Sequence, residues 1–176
     1  MQGIKFEKVS FSQFKKDCIK LGWNNEEEIK EAYNGLKLPK RGTSGSAGYD
    51  FVTPFAFRLQ EIPGWSNLIQ NETIVTIPTG IRAKMPQGKA LILIPRSGLG
   101  FKSGMHLVNT LALIDFDYYY SDNEGHIMAK FVRGFKDIEL KQFERVMQGV
   151  FIDYYTTEDD DANGTRNGGF GSTGNL

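Results

Sequence analysis

The sequence predicts a mostly β protein: a compact antiparallel jelly-roll or β-barrel domain with a short N-terminal helical pair and a flexible C-terminal arm. From Pro39 onward, short apolar and β-branched runs alternate with glycine and proline, which is typical of all-β sandwiches and barrels. Before Pro39, apolar residues recur instead at helical spacing. Residues 156–176 contain many glycines and acidic residues, and their apolar surface is too small to offset the entropy of folding alone.

The N-terminal region is predicted to contain one strand and two helices. Residues 4–9 alternate apolar and charged side chains, as in a half-buried strand. Ser10 and Gln13 have capping-box spacing and precede a short amphipathic helix. A second helix begins at residues 24–25, where three glutamates follow in the first turn and favour the helix dipole. The two helices form a helical insertion at about residues 10–36.

The rest of the domain is predicted to be built from short strands. They lie at residues 49–52, 74–77, 80–85, 90–94, 107–109, 111–114, 126–131, 137–140 and 146–155. The pair at 107–109 and 111–114 is expected to form a tight hairpin. We therefore predict one β domain over residues 1–155 and an arm over residues 156–176.

The composition excludes several classes of protein. The 176 residues carry 21 basic and 21 acidic side chains, so the formal net charge is zero and no overall field attracts a nucleic-acid polymer or an anionic membrane. The single cysteine, Cys18, excludes an internal disulfide, and two histidines cannot form a histidine-rich metal site. No apolar run reaches the ~18 residues that span a bilayer. We expect a soluble, intracellular protein with no membrane or nucleic-acid partner.

Chemically active side chains are concentrated in a few glycine-rich or turn-like segments. Arg96, Ser97 and Gly98 follow the most apolar predicted strand, where a guanidinium fork, a hydroxyl and permissive backbone suit phosphate oxygens. Asp115 is the strongest candidate to orient and deprotonate a water molecule, since no histidine or transition-metal site is available for that task. The last segment, 166–176, combines one arginine, one phenylalanine and two hydroxyls among glycines, which suits a clamp over a phosphorylated, ring-bearing molecule.

Five segments in this order closely resemble the homotrimeric deoxyuridine triphosphate nucleotidohydrolases (dUTPases), in a Gram-positive or phage-like variant. The resemblance covers roughly residues 39–174. The five segments are Ala-Gly-Tyr-Asp at 47–50, Pro-Arg-Ser-Gly-Leu-Gly at 95–100, Asn-Thr-Leu-Ala-Leu-Ile-Asp-Phe-Asp-Tyr at 109–118, Glu-Arg-Val-Met-Gln at 144–148, and the tail at 166–176.

The resemblance implies a dUTPase-like fold and Mg²⁺-dependent hydrolysis of dUTP to dUMP and pyrophosphate. It implies a homotrimer with active sites shared between subunits, in the cytoplasm of a bacterial cell or a phage-infected host. Asp115 would be the general base, Asn109 would contribute to uracil binding and Tyr118 would lie under the deoxyribose. The full set of substrate-binding residues implied is Arg96, Ser97, Gly98, Asn109, Leu113, Tyr118, Gln148, Arg166, Phe170, Gly171, Ser172 and Thr173.

The magnesium ion is expected to be bound mainly by the substrate phosphates, as suits a hard ion that keeps its waters. Asp50 could contact its water shell or anchor its own loop. The chain also departs from the family pattern near the pocket. Ala112 stands where the family commonly has glycine and would be strained if that site needs positive φ. Phe116 is bulkier than usual, and residues 119–123 form an insertion.

Two other functions remain open from the sequence. One is a related enzyme that deaminates dCTP, alone or together with dUTP hydrolysis, which needs a carboxylate over the amino-bearing edge of the base. The other is a nucleotide-gated signalling protein with a regulatory protein partner, since some phage-encoded relatives are regarded as signalling proteins. The N-terminal helices or the 119–123 insertion would then form the docking surface.

Overall fold

Twelve β-strands, three α-helices and one 3₁₀ helix follow the chain within residues 3–61 and 73–167, the part that the computed structural model describes. Every strand pairing in this part is antiparallel. The mostly β, antiparallel architecture predicted from the sequence is confirmed. None of the helices in the described residues has the length and apolar character needed to cross a bilayer.

The largest sheet has five strands, in the order β2-β3-β12-β7-β9. Its strands are β2 (Lys40–Arg41), β3 (Tyr49–Val52), β7 (Lys89–Pro95), β9 (Ala112–Asp115) and β12 (Arg145–Asp153). Gly149 lies at the centre of β12, where an added Cβ would come within 2.9 Å of Leu91 and Phe51. A larger residue there would force the core side chains apart, so the close packing of this sheet depends on that glycine.

Three smaller sheets complete the β structure. β1 (Lys5–Lys8) pairs with β6 (Ile81–Lys84), and β4 (Phe57–Leu59) pairs with β11 (Ile138–Leu140). The third sheet has the order β5-β10-β8, with β5 (Ile74–Pro78), β10 (Met128–Val132) and β8 (His106–Leu107). Alternating inward side chains of the four sheets form one core, as in a jelly-roll arrangement. The largest fully buried members include Phe51, Leu91, Leu107, Phe131 and Met147.

The N-terminal helices pack over a second, smaller core. α1 (Phe11–Lys20) and α2 (Glu26–Gly35) bury Phe14, Cys18, Ile29 and Ala32 there, together with Phe55 from the β domain. Cys18 is fully buried, as expected for a helix core residue, and burial raises the pKa of its thiol to about 12.

The first helix has only one of the two hydrogen bonds of the predicted capping box. The Ser10 hydroxyl accepts a hydrogen bond from the Gln13 backbone N–H, which is half of a capping box. The reciprocal half is absent, because the Gln13 side chain donates to Asp17. The Ser10 N–H donates instead to the carboxylate of Glu124, which is distant in sequence.

Several sequence expectations are corrected by the structure. The runs at 107–109 and 111–114 do not pair as a hairpin, because β8 pairs with β10 while β9 pairs with β7. Two helical elements were not predicted: α3 (Ser97–Ser103), which follows β7, and a 3₁₀ helix (Phe116–Tyr120), which follows β9. The short strands β2 and β4 were not predicted. Each predicted run from residue 49 onward does overlap an observed strand; the run at 49–52 coincides with β3, and the ends of the others are shifted.

Candidate functional site

A cavity of about 380 Å³ lies between β9 and β10. Its volume is within the range of small-molecule sites, and its wall is mainly apolar with a few polar groups, as such sites usually are. Asn109, Leu113, Tyr118 and Arg166, four of the residues predicted to bind substrate, line it together. The lining residues are Val108, Asn109, Ala112, Leu113, Ile114, Tyr118, Met128, Ala129, Lys130 and Arg166.

A tight turn at residues 109–111 forms one edge of the cavity. The Leu111 N–H donates to the Asn109 carbonyl at 2.6 Å, which closes a three-residue turn around Thr110. Thr110 has φ of 65°, in the left-handed region that β-branched residues avoid. The strain expected at Ala112 is therefore located at Thr110, because Ala112 lies in β9 opposite Leu93 in ordinary strand geometry. Asn109 and Ala112, on either side of this turn, both line the cavity.

Asp115 ends β9 beside the cavity, and the C-terminal segment reaches it through Arg166. The Arg166 Nη2 donates a hydrogen bond to Asp115 Oδ2, and its Nε lies 3.1 Å from Asp117 Oδ1 in an ion pair. The Asp115 side chain is 35% exposed, so it is partly desolvated but still accessible. One guanidinium thus serves two carboxylates, and residues 156–165 before it are exposed.

Tyr118 forms a buried wall of the cavity. Its hydroxyl donates to the His126 carbonyl at 2.8 Å and accepts from Asn123 Nδ2 at 2.8 Å. Burial raises the pKa of this phenol, so it remains a neutral donor. Tyr119 and Tyr120 lie in the 3₁₀ helix and do not line the cavity. Tyr119 donates to Glu7 and lies against Arg82, whereas Tyr120 is exposed.

Asp50 is the centre of a separate polar cluster. Its carboxylate accepts hydrogen bonds from Arg145 Nη1 and Gln148 Nε2, both at 3.0 Å, and lies 3.9 Å from Arg96 Nε. The Asp50 side chain is only 11% exposed, so these cations and the amide are held at fixed positions around it. Asp50 therefore anchors the side chains that the sequence assigned to phosphate binding. Gly48 allows the neighbouring loop to lie close, since a Cβ there would meet Gln148 at 3.3 Å.

The segment that contains Arg96 forms the start of α3. Arg96 is its N-terminal boundary residue, and Ser97 and Gly98 lie in its first turn. A Cβ added to Gly98 would meet nothing within 4 Å. Packing within the described part of the chain therefore does not require this glycine, and space is left beside it.

The cavity and the Asp50 cluster lie far apart in one chain. Asp115 is opposite Ala90, near the start of β7, whereas Arg96 follows the last residue of that strand, Pro95. At a rise of about 3.3 Å per residue, these positions are roughly 20 Å apart. Groups that act on one phosphorus atom must lie much closer than this, because reacting atoms approach to about 3–3.5 Å. A single chain does not bring the two groups together.

Some predicted site residues lie outside the described part of the chain, and some residues at the cavity were not predicted. Phe170, Gly171, Ser172 and Thr173 lie outside the described residues. Sequence reasoning missed Met128 and Lys130 in the cavity wall and Asn123 and His126 behind Tyr118. No local pattern could identify them, because contacts between β9 and β10 arise only from the sheet arrangement.

The described residues contain carboxylates but no cluster of metal ligands. No set of three or more His, Cys, Asp or Glu residues is placed to hold a metal ion in residues 3–61 and 73–167. Two carboxylates belong to the candidate site residues, and both already form ion pairs, Asp50 with Arg145 and Asp115 with Arg166. These donors fit a Mg²⁺ ion that is bound chiefly by phosphate oxygens and waters, with no dedicated protein cage.

Comparison with known proteins matches this geometry to one family. The dUTPase family model matches residues 34–174. The deoxyuridine 5'-triphosphate nucleotidohydrolase of Lactococcus lactis subsp. lactis (strain IL1403) is 40% identical over 145 residues, which cover 80% of this chain and 89% of the relative. The crystal structure of dUTPase from Streptococcus mutans is 30% identical, with a TM-score of 0.59, and the match covers 87% of this chain and 98% of that one.

A phage protein shares the fold at lower identity. A mutant dUTPase from phage phi11 of S. aureus, whose structure describes the coordination of a structural Mg(II) ion, is 15% identical with a TM-score of 0.58. The match covers 93% of this chain and 98% of that one. Because the family model covers most of the sequence and the Lactococcus relative matches along nearly its whole length, the chain belongs to the dUTPase family.

Proposed function

We propose that this protein hydrolyses dUTP to dUMP and pyrophosphate. The observation that carries the proposal is the cavity between β9 and β10, whose lining residue Arg166 donates a hydrogen bond to Asp115, in a chain of the dUTPase family. Its relatives are named deoxyuridine 5'-triphosphate nucleotidohydrolase, which supports hydrolysis of the phosphoanhydride. The neutral net charge agrees with a small nucleotide substrate and not with a polymer.

The cavity is proposed to bind the uracil base and the deoxyribose. The Asn109 amide and the backbone groups of the 109–111 turn would pair with the polar edge of the base, and Leu113 would cover its face. The narrow slot would exclude the 5-methyl group of thymine, because a close-packed wall leaves no spare volume. Tyr118 would lie beneath the sugar, where its buried ring leaves no room for a ribose 2′-hydroxyl.

Asp115 is proposed as the general base. Its carboxylate would orient a water molecule and accept its proton as the water oxygen bonds to the α-phosphorus. The bond between that phosphorus and the oxygen that bridges to the β-phosphate then breaks, and pyrophosphate leaves with the electron pair. Arg166, which contacts Asp115 here, would exchange that contact for a phosphate group when the nucleotide binds, and the Asp115 oxygen would then be free to contact the water molecule.

The phosphates are proposed to bind residues from three segments. Arg96, Ser97 and Gly98 would contact the α- and β-phosphates, and Gln148 would reach them from its anchored position beside Asp50. The arm would contribute Arg166 and the Ser172–Thr173 pair to the γ-phosphate, while Phe170 and Gly171 would cover the base. Mg²⁺ would neutralise charge on the phosphates and arrive with the nucleotide.

The protein is proposed to act as a homotrimer with shared sites. The separation of roughly 20 Å between Asp115 and Arg96 supports this, because a second copy must then supply the phosphate-binding group. Exposed apolar side chains near both clusters, such as Phe101, Leu111 and Phe135, are suited to burial between subunits.

The comparisons bear on one of the two alternative functions, dCTP deamination, and not on the other. The names of the relatives favour hydrolysis over dCTP deamination, and both carboxylates near the cavity face Arg166. A regulatory protein partner stays a prediction. A pull-down from host lysate, with and without a non-hydrolysable dUTP analogue, tests it: nucleotide-dependent capture of one protein is expected, and equal recovery in both conditions contradicts it.

Pyrophosphate release from dUTP, UTP, dTTP and dCTP with Mg²⁺ tests the proposed activity. We expect rapid release from dUTP and at least ~10²-fold lower kcat/KM for the other three nucleotides, since each differs at a position that the cavity contacts. Comparable release from dTTP or dCTP would contradict the proposed base pocket.

A further inference from the structure

Helix α1 contacts the segment that follows Tyr118 at two separate points. At the helix N-terminus, the Ser10 N–H and hydroxyl donate to the Glu124 carboxylate, at 2.7 Å and 2.5 Å. About two turns further on, Asp17 accepts a hydrogen bond from His126 Nδ1 at 2.6 Å. The helical insertion is therefore attached to residues 124–126 and not only to the outside of the β domain.

The contact between Asp17 and His126 is buried, and further hydrogen bonds fix the orientation of both side chains. His126 is 0% exposed, and the Asp17 side chain is 8% exposed. The Gly80 N–H donates to His126 Nε2 at 2.8 Å, which assigns the ring proton to Nδ1. Gln13 Nε2 donates to the same Asp17 oxygen at 2.7 Å. Burial acts to raise the pKa of Asp17, but hydrogen bonds from His126 and Gln13 outweigh it, so the pKa is lowered and the group stays a carboxylate.

The same segment holds the hydroxyl of Tyr118. Tyr118 Oη donates to the His126 carbonyl and accepts a hydrogen bond from the Asn123 amide, and both bonds are 2.8 Å long. Gly125, between them, has φ of 70°, and an added Cβ would lie 2.7 Å from Tyr119 Cα. The segment thus folds back directly over the residues beside the cavity. A continuous series of contacts runs from Asp17 through His126 to the cavity wall.

We propose that Asp17 is a positioning residue for sugar selection, which acts through His126 to fix the Tyr118 ring against the cavity. This inference rests on the proposed hydrolysis of dUTP. A ring that is held at both hydrogen-bonding positions of its hydroxyl cannot move aside for an additional 2′-hydroxyl. Without Asp17, the buried His126 Nδ1–H loses the acceptor that it has here, and we expect His126 to shift so that its carbonyl no longer fixes the phenol. The main consequence is a loss of discrimination and not a loss of the chemical step.

The test compares kcat/KM for dUTP and for UTP in Asp17→Ala, Asp17→Asn and the unmodified protein. We expect Asp17→Ala to lower the dUTP-to-UTP ratio roughly tenfold, mainly through faster UTP hydrolysis, because a yielding wall no longer rejects the hydroxyl. Asp17→Asn keeps an oxygen that can accept from His126, so it folds readily and should restore most of the ratio. An unchanged ratio in folded Asp17→Ala, or a ratio in Asp17→Asn as low as that expected for Asp17→Ala, overturns the proposal. If Asp17→Ala does not fold, an unchanged ratio in Tyr118→Phe overturns it instead, because the proposed route passes through that hydroxyl.

Tyr33→Phe is the matched control. It removes the hydrogen bond from the Tyr33 hydroxyl to the Val9 carbonyl, 2.7 Å long, and so weakens the helical pair while the hydrogen bonds of Asp17 and His126 stay in place. We expect a lower melting temperature with an unchanged dUTP-to-UTP ratio. If Tyr33→Phe lowers the ratio as much as Asp17→Ala, the effect is general destabilisation and the proposal is wrong.

A double-mutant cycle with Tyr118→Phe identifies the route. Tyr118→Phe keeps the ring but removes the hydroxyl, so adding Asp17→Ala to it should cause no further loss of the ratio. Additive losses would show that Asp17 acts elsewhere. Absence of dUTP hydrolysis by the unmodified protein would contradict the proposed function itself, which is a different result from an active enzyme whose ratio does not respond to Asp17.

Discussion

The guanidinium of Arg166 lies across two carboxylates, with Nη2 bonded to Asp115 Oδ2 and Nε 3.1 Å from Asp117 Oδ1. This relationship joins the C-terminal segment to the residue proposed as general base. Two aspartates therefore share one cation, and only Asp115 is assigned a chemical role. Substituting each in turn separates that role from the shared ion pair.

Asp115→Asn should retain nucleotide binding and lose about 10²–10⁴-fold in kcat, as expected for removal of a general base. Asp117→Asn removes the other partner of Arg166 and is the matched control. It should lose less than about tenfold, because surface-exposed ion pairs contribute at most ~1 kcal/mol. Steady-state kinetics with dUTP, together with calorimetric binding of a non-hydrolysable analogue, measures both. Equal losses in the two variants would remove Asp115 from its proposed role.

Truncation after Glu158 should leave a folded protein with sharply reduced activity. The exposed residues 156–165 and 167 contribute little to either core, whereas the removed segment contains Arg166 and the predicted clamp residues. Closure of such a segment orders substrate and excludes water. Thermal unfolding by circular dichroism should show a melting temperature close to that of the full chain. Aggregation or loss of the transition would contradict the assignment of these residues to an arm.

Asp50→Ala should raise KM for dUTP about tenfold with a smaller effect on kcat, because Arg96, Arg145 and Gln148 lose their common anchor. Asp153→Ala is the control on the same sheet. Asp153 pairs with Lys89 at the opposite end of β12 and has no contact with the Asp50 cluster. An equal KM effect in both variants would mean that the cluster does not position phosphate ligands.

Mixing two inactive variants tests whether sites are shared. Asp115→Asn and Arg96→Ala subunits, denatured and refolded together, should regain about a quarter of the original activity, the share of intact sites that random assembly of a cyclic trimer gives. Light scattering should give about three times the 19.8 kDa chain mass. No recovery in correctly assembled mixtures would place both residues in the site of one chain.

Glu7 should make stability pH-dependent on the acid side. Hydrogen bonds from Lys5 and Tyr119 and the nearby Arg82 charge outweigh burial and lower the pKa of Glu7 from 4.5 to about 2. A carboxylate with a lowered folded-state pKa stabilises the protein above its unfolded pKa, and this contribution is lost as pH falls from 4.5 towards about 2. The difference in unfolding free energy between the natural protein and Glu7→Gln should shrink over that range. A constant difference would contradict the assignment.

Sequence patterns predicted the strands well where apolar residues are dense. β7 and β12 each present several buried side chains in succession, so their patterns were clear. β4 and β2 are three and two residues long, too short for any periodicity to identify. α3 was missed because two glycines, Gly98 and Gly100, disfavour a helix locally.

The candidate site was predictable in its residue types but not in its pairings. Asn109, Leu113 and Tyr118 belong to one continuous segment, and they line the cavity together. The contacts of Arg166 with Asp115, of Asp50 with Arg145 and of Asp17 with His126 join residues 51, 95 and 109 positions apart. Side chains so distant in sequence meet only through the sheet order and register, which periodicity alone does not determine.

Hydrolysis of dUTP in heavy-oxygen water, with mass spectrometry of both products, tests the central claim most directly. If Asp115 directs water to the α-phosphorus, all of the label should appear in dUMP and none in pyrophosphate, and Asp115→Asn should abolish its rapid incorporation. Label in pyrophosphate, or undiminished labelling of dUMP by Asp115→Asn, would contradict this account of the site.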